Sequence, residues 1–194
     1  AIEGDDFVEE MCKLGLTPDQ ATKILDEVFP EFRALKPVPS NMTLRSHMTT
    51  SWFPVLANMI NEPKPLPLFT IGLRFRREQK EDRSHLRAHH GASCVIMDPE
   101  VSLKDGEELV KKLLSPLGFK EFRFITKKAT SKYYTPGMEV EAYAKHGNDW
   151  LEIADFGLYS PIALANYEIE YPVMNLGLGV ERIGMILNKV DDIR

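Results

Sequence analysis

Alternation of apolar and polar side chains predicts a β-strand at residues 67–77. The apolar members recur at every second position: Phe69, Ile71, Leu73 and Phe75. The polar members fall between and just after them: Arg74, Arg76 and Glu78. Because successive side chains of a strand point to opposite faces, we expect Arg76 and Glu78 to lie side by side, away from the core.

Further apolar stretches predict strands along the rest of the chain. They cover residues 91–97, 119–125, 140–144 and 150–159, and a last strand from residue 172 runs into an apolar helix. Strands in succession, with helices between them and at the end, indicate an α+β fold. We therefore predict an antiparallel sheet covered by helices.

Helical periodicity and capping signals predict four earlier helices, at residues 5–14, 17–29, 50–60 and 102–117. Thr17 and Gln20 form a predicted capping box around Pro18 at the first helical position. Four leucine and valine residues should face inward from the fourth helix: Leu109, Val110, Leu113 and Leu114. Prolines interrupt residues 30–40, so we predict a linker there. We expect residues 1–30 to form a helical leader and residues 31–194 a single core.

Two short motifs suggest the chemistry: Phe-Arg-Arg-Glu at residues 75–78 and Gly-Leu-Gly-Val-Glu-Arg at residues 177–182. Fixed guanidinium groups such as Arg76 and Arg182 suit the negative charge of nucleotide phosphates. Arg182 is predicted in the first turn of a helix, where free N–H groups and the helix dipole already favour an anion. Each motif alone is equally consistent with ordinary charges on a strand edge or at a helix start. Walker phosphate loops and His-Glu-x-x-His are absent from the sequence, so other nucleotide-binding and metalloprotease classes have no support.

Together, in this order, the two motifs resemble motifs 2 and 3 of the class II aminoacyl-tRNA synthetases. Several segments more specifically resemble the catalytic core of the archaeal O-phosphoseryl-tRNA synthetases: residues 43–49, 75–86, 92–95, 131–134, 156–161 and 172–182. The acidic opening of the chain also matches the insertion that precedes that core. The resemblance covers nearly the whole chain and implies a ligase. Its activity would be to activate O-phosphoserine with ATP and Mg²⁺ and to transfer it to tRNA(Cys).

The resemblance assigns six positions to ATP: Arg76, Glu78, His85, His89, Glu152 and Arg182. It places Arg76 at the α-phosphate and Glu78 at the adenine amino group, and the predicted position of Arg182 at a helix start suits the terminal phosphate. Arg76 and Arg182 would also be the catalytic residues. The resemblance places His89 against the adenine ring and makes Glu152 the Mg²⁺ ligand.

Four positions match residues that hold the phosphoserine side chain in that family: His47, Thr49, Ser93 and Asn175. Their hydroxyl, imidazole and amide groups are suitable donors to a phosphate. Four nearby positions depart from the family: Arg87, Ala88, Gly91 and Asp155. Gly91 replaces a second pocket serine, and the Asp155 carboxylate, in place of a threonine, would repel a phosphate. We therefore expect Gly91→Ser with Asp155→Thr to raise activity toward phosphoserine. Period-2 spacing places Asp155 on the face opposite Glu152.

A histidine-rich segment allows an alternative, a zinc site. His85 and His89 are four residues apart, and Cys94 follows within the same segment, so the three could supply part of a tetrahedral set. Cys94 lies in an apolar stretch, however, and a small core residue is the simpler interpretation.

Composition is typical of a cytoplasmic globular protein. The 194 residues are 43% hydrophobic and 27% charged, with two cysteines and no apolar run of membrane-spanning length. The net charge of −5 is unfavourable for a dedicated nucleic-acid binder, so we expect weak tRNA binding by this chain alone. We also expect a homo-oligomer.

Three functional hypotheses remain open. The chain is a class II synthetase catalytic domain, a paralogue that activates another amino acid for a non-tRNA acceptor, or a non-catalytic binding or regulatory module. The intact ATP motifs argue against the third. We find no motif 1 and no anticodon-binding domain, which leads us to expect a fragment or a reduced paralogue.

Overall fold

A computed structural model describes residues 4–34, 41–76, 82–83 and 85–194 of the chain. Its contacts divide the chain into two compact units, Ala1–Thr43 and Leu44–Arg194. Glu78, which the sequence assigned to ATP, lies outside the described residues.

The first unit is a pair of short helices followed by a helical turn. Helix α1 spans Gly4–Lys13 and helix α2 spans Pro18–Glu27, and the turn covers Pro30–Ala34. The predicted capping box is confirmed: the Thr17 side chain accepts from the Gln20 backbone, and the Gln20 side chain accepts from the Thr17 backbone. Three aromatic rings, Phe7, Phe29 and Phe32, pack with their centroids 5.4 to 6.0 Å apart.

The second unit is built on a six-stranded sheet. Its strands are β1 (Leu66–Phe75), β2 (Ala88–Met97), β3 (Phe122–Thr126), β4 (Tyr134–His146), β5 (Asp149–Tyr159) and β6 (Val173–Gly179). They lie in the order β1-β2-β6-β5-β4-β3, and every neighbouring pair is antiparallel. The predicted α+β class with an antiparallel sheet is confirmed.

Four helices belong to this unit: α3 (Trp52–Asn58), α4 (Leu103–Leu114), α5 (Pro161–Ala165) and α6 (Val180–Asn188). The short α5 was not predicted. Gly118 ends the α4 region with a φ of 101°, a conformation that glycine adopts without strain. Among the described residues, no helix is both long and apolar enough to cross a membrane.

The two faces of the sheet are covered differently. Helix α4 buries Val110 and Leu114 against the centre of one face, where they pack around Phe156 of β5. Helix α3 covers one end of the opposite face, where Trp52 and Leu56 pack with strand residues. No described helix covers the rest of that opposite face.

Strand β1 shows the predicted alternation, but its apolar side is not buried. Phe69, Ile71 and Leu73 are 76%, 62% and 43% exposed. Helix α4 contacts β4, β5 and β6, and does not extend over the β1 edge. Leu113 of α4, predicted to face inward, is 39% exposed for the same reason: it lies at the border of the covered face.

A bulge in β5 overturns one prediction about the sheet faces. Tyr143 pairs with Glu152, and the preceding residue of β4, Ala142, pairs with Ala154. Ile153 is therefore an extra residue on β5, and the alternation of faces shifts by one. Glu152 and Asp155, predicted on opposite faces, lie on the same face.

Candidate active site

A cavity of about 140 Å³ opens on the uncovered face of the sheet. Strands β1, β2, β5 and β6 and the start of α6 contribute most of its walls. Its charged and imidazole side chains are Arg74, Arg76, His85, His89, Glu152, Asp155, Glu181 and Arg182. Five of the six ATP positions assigned from the sequence therefore line one cavity, and the sixth is Glu78.

Arg182 lies in the first turn of α6, as predicted. Its Nη1 donates to the backbone carbonyl of Glu152 at 3.1 Å and lies 3.6 Å from the Glu152 carboxylate. Both side chains remain about one third exposed, at 33% and 39%. Gly179 precedes the helix without a side-chain cap, so the free N–H groups of the first turn and the guanidinium face the same region.

Arg76 follows the last residue of β1. Its backbone N–H donates to the carbonyl of Arg87 at 2.8 Å, which continues the β1–β2 pairing past the strand end. The Arg76 side chain is exposed and lines the cavity. Burial, together with the charges of Arg76 and Arg74, lowers the pKa of His47 and of His89. The two arginines therefore make this part of the site positive.

Asp155 lies against Gly177 of β6. A β-carbon on Gly177 would lie only 3.0 Å from the Asp155 carboxylate, so the glycine makes room for this side chain. Burial raises the pKa of Asp155 to about 6. Glu152 and Glu139 also raise it, whereas Lys127 and Arg74 lower it.

Glu181, at the start of α6, forms hydrogen bonds to strand β2. One carboxylate oxygen accepts from the backbone N–H of His90 at 2.5 Å and lies 2.9 Å from its Nδ1. Burial alone would raise the pKa of Glu181, but the hydrogen bonds from His90 lower it overall. This contact fixes the helix that carries Arg182.

A buried polar network adjoins the cavity and contains three of the four predicted amino-acid-binding residues. Asn175 is 1% exposed and uses all its hydrogen-bonding capacity. Its Oδ1 accepts from the Tyr134 hydroxyl at 2.8 Å and from Thr49 at 3.4 Å. Its Nδ2 donates to the Ser93 hydroxyl oxygen and to a backbone carbonyl, each at 3.0 Å. Trp52 also donates to that Ser93 oxygen at 2.9 Å, which leaves the Ser93 hydroxyl hydrogen available.

His47, the fourth predicted residue, lies beside Tyr133, with ring centroids 5.8 Å apart. Its Nδ1 is buried and has no hydrogen-bond partner among the described residues. The buried hydroxyl of Tyr159 also has no hydrogen-bond partner among the described residues. A ligand or an ordered water would therefore supply the missing hydrogen bonds of these two polar atoms.

A buried carboxylate holds the segment that carries Tyr133 and Tyr134. Glu139 is 1% exposed and pairs with Lys127 at 3.0 Å. It also accepts from the backbone N–H of Ser131 at 2.5 Å and from its hydroxyl at 3.2 Å. The sequence did not identify this anchor.

The predicted zinc alternative is not supported by the geometry. Cys94 lies on the α4 side of β2, next to the exposed apolar face of β1, whereas His89 faces the cavity. His85 instead pairs with Asp82 at 3.0 Å. Within residues 4–34, 41–76, 82–83 and 85–194, no three His, Cys, Asp or Glu side chains converge on a common point.

Sequence reasoning missed four contributors to the site. They are Arg74, Trp52, Tyr134 and Glu139. Arg74 was detectable, since it shares a strand face with Arg76. The other three join the site through contacts between residues 8 to 41 positions apart, for which no local pattern exists. Arg87, one of the four departures, is exposed.

Comparisons with known proteins identify relatives of this chain. A family model described as "tRNA synthetases class II core domain (F)" matches residues 2–194. Curated relatives named O-phosphoserine–tRNA(Cys) ligase are 50% identical in Methanocaldococcus jannaschii, 52% in Methanococcus aeolicus and 48% in Methanothrix thermoacetophila. These alignments cover 100% of this chain but only 36% to 38% of the relatives, so the chain spans little more than a third of their length.

Among solved structures, the fold is similar to that of a pyrrolysyl-tRNA synthetase from Desulfitobacterium hafniense. The TM-score is 0.63 at 23% identity, covering 77% of this chain and 51% of the other. At this identity the likeness concerns the fold.

Proposed function

The chain belongs to the family of class II tRNA synthetase core domains, and we propose that it activates O-phosphoserine with ATP for transfer to tRNA(Cys). Residues 31–194 are the proposed catalytic core, and residues 1–30 a helical leader. The names of relatives about 50% identical over the whole chain support the amino acid and the tRNA. The observation that supports the chemistry most is the convergence of Arg76, Arg182 and Glu152 on one cavity.

In the proposed reaction, a carboxylate oxygen of the amino acid attacks the α-phosphorus of ATP. The bond to the bridging oxygen breaks, pyrophosphate leaves with the electron pair, and an aminoacyl-adenylate remains. Arg76 would neutralise charge on the α-phosphate, and Arg182 would hold the terminal phosphate at the start of α6. His89 would stack on adenine, while Glu78 and His85 complete the proposed nucleotide contacts. A tRNA hydroxyl would then attack the acyl carbonyl and displace AMP.

The residues present fit a divalent cation. The bulge at Ile153 directs the carboxylates of Glu152 and Asp155 to the same cavity, and carboxylate oxygens are ligands that Mg²⁺ prefers. We assign Glu152 as the principal ligand. When bound, Mg²⁺ would supply positive charge to the phosphate oxygens during displacement.

Pyrophosphate exchange across a panel of amino acids tests the proposal. We expect exchange with O-phosphoserine and a rate about a hundredfold lower for Arg76→Ala or Arg182→Ala, equivalent to about 3 kcal/mol of transition-state stabilisation. Arg123→Ala, an exposed arginine on β3, is the matched control and should exchange like the parent. Exchange with no amino acid, or equal rates in all variants, would contradict the proposal.

One observation favours a second candidate, activation of a different amino acid. The Asp155 carboxylate in the cavity opposes a phosphate dianion. Preferential exchange with an uncharged amino acid in the same panel would select this alternative.

A further inference from the structure

Arg74 occupies the floor of the cavity. It points to the same face of β1 as Arg76, two residues later. A β-carbon on Gly91 would lie 3.0 Å from Arg74 Nε and 3.2 Å from its Cζ, and one on Gly179 would lie 3.7 Å from its Nη2. The guanidinium therefore lies across two glycines of β2 and β6, and Gly91 leaves it the space to do so.

Among the described residues, no carboxylate lies within ion-pair distance of this guanidinium. Its Nε is buried and has no hydrogen-bond partner among the described residues. Burial, with Arg76 and Arg182, lowers the pKa of Arg74, while the more distant carboxylates of Asp155 and Glu181 raise it. A desolvated donor without a partner is costly unless a ligand supplies one.

The neighbours of Arg74 indicate which part of a ligand would reach it. Ser93 is two residues from Gly91 on the same face of β2, so its hydroxyl lies on the same side of the sheet as the guanidinium. Burial, and then the charges of Arg76 and Arg74, lower the pKa of His47, so the field of Arg74 reaches this imidazole. An anionic group placed here would receive donors from all three side chains.

Building on the proposed function, we propose that Arg74 is a specificity-determining residue that binds the phosphate of the activated amino acid's side chain. Its planar guanidinium can make two parallel hydrogen bonds to phosphate oxygens. The expected second serine at position 91 is then unnecessary. The Arg74 guanidinium takes its place, and the Asp155 carboxylate offsets the charge of that guanidinium.

This role changes the expectation for Gly91→Ser. A serine Cβ would meet Arg74 Nε at 3.0 Å, so Arg74 would have to move. We now expect Gly91→Ser to weaken phosphoserine binding while Arg74 is present. In an Arg74→Met background, which lacks the guanidinium group, the new serine hydroxyl should strengthen phosphoserine binding.

Calorimetric titration of O-phosphoserine tests the inference, with and without a non-hydrolysable ATP analogue. We expect Arg74→Met to raise the Kd for phosphoserine about 10- to 100-fold, the loss typical of a charge-assisted hydrogen bond. The Kd for serine should stay unchanged. Arg74→Lys should retain part of the affinity, and Arg123→Met, on the opposite edge strand, should bind like the parent. Arg74→Gln replaces Arg74→Met if the latter melts at a lower temperature than the parent.

Three results would overturn the inference: an unchanged phosphoserine Kd in Arg74→Met, an equal loss of affinity for serine, or a parent that binds no phosphoserine. Additive effects of Gly91→Ser and Arg74→Met would contradict the predicted contact between them, since independent sites add. Pyrophosphate exchange separates this outcome from the proposed function. If the parent exchanges pyrophosphate but its affinity for phosphoserine does not depend on Arg74, only the inference is wrong. If binding depends on Arg74 but no exchange occurs, only the proposed reaction is wrong.

Discussion

Substitution of Asp155 by asparagine should stabilise the fold, and more so at high pH. The pKa of Asp155 is raised from 3.8 to about 6, chiefly by burial. The folded protein therefore holds this proton more tightly than the unfolded chain does. Because burial disfavours the ionised form, the free energy of unfolding of the parent decreases as the pH rises from 3.8 to about 6 and stays lower above that pH. A tenfold change in an ionisation constant corresponds to about 1.4 kcal/mol, which makes the penalty about 3 kcal/mol at pH 8 and about half of that at pH 5.

Urea unfolding at both pH values, with a chelator to exclude divalent cations, measures this difference. Asp155→Asn keeps the shape and removes the charge, so its free energy of unfolding should exceed that of the parent by about 3 kcal/mol at pH 8 and by about 1.5 kcal/mol at pH 5. Asp149→Asn, at the exposed start of the same strand, is the control. Gains that are equal at the two pH values, or a destabilised variant at pH 8, would refute burial as the cause of the raised pKa.

Two further predictions concern packing around the site. Asn175→Ala should lower the free energy of unfolding by about 2 to 6 kcal/mol, because a buried tyrosine hydroxyl and a carbonyl each lose a partner. Exposed Asn166→Ala is its control, and a loss below about 1 kcal/mol would contradict the network. Gly106→Ala should destabilise by about 1 to 3 kcal/mol, since its β-carbon would lie 2.2 Å from Phe156. Gly184→Ala, in a helix with open space around it, should be neutral or stabilising, and equal behaviour of the two glycine variants would reject the predicted clash.

Features governed by neighbouring residues were predictable from the sequence. The capping box at Thr17, the alternation of β1 and the position of Arg182 in the first turn of α6 all follow from spacings of four residues or fewer. The antiparallel class followed from the succession of these elements. The same local patterns could not say which face of β1 would be covered, because that depends on how far α4 extends across the sheet.

The bulge at Ile153 marks the limit of pattern reasoning most clearly. Strict alternation separates Glu152 from Asp155, and no glycine or proline in the strand between them signals an extra residue. One inserted residue reverses every face that follows it. Because of the bulge, Asp155 lines the cavity, although strict alternation places it on the face opposite Glu152. The resemblance brought Thr49, Ser93 and Asn175 together, but local patterns could not predict the hydrogen bonds among them or the part played by Tyr134, since these residues lie far apart in the chain.

Gly91 and Asp155, taken separately from the sequence, each argue against a phosphate ligand. One removes a hydroxyl, and the other adds negative charge. The geometry makes them parts of one arrangement with Arg74. Gly91 leaves space for the guanidinium, and the charges of Lys127 and then of Arg74 lower the pKa of Asp155 against the effect of burial. Because opposite charges in the same cavity offset each other's field at a ligand, repulsion by Asp155 cannot be judged without Arg74. Specificity in this cavity should therefore depend on the three residues as a set. Gly91→Ser with Asp155→Thr should impair phosphoserine binding more when Arg74 is present than when Arg74 is replaced by methionine.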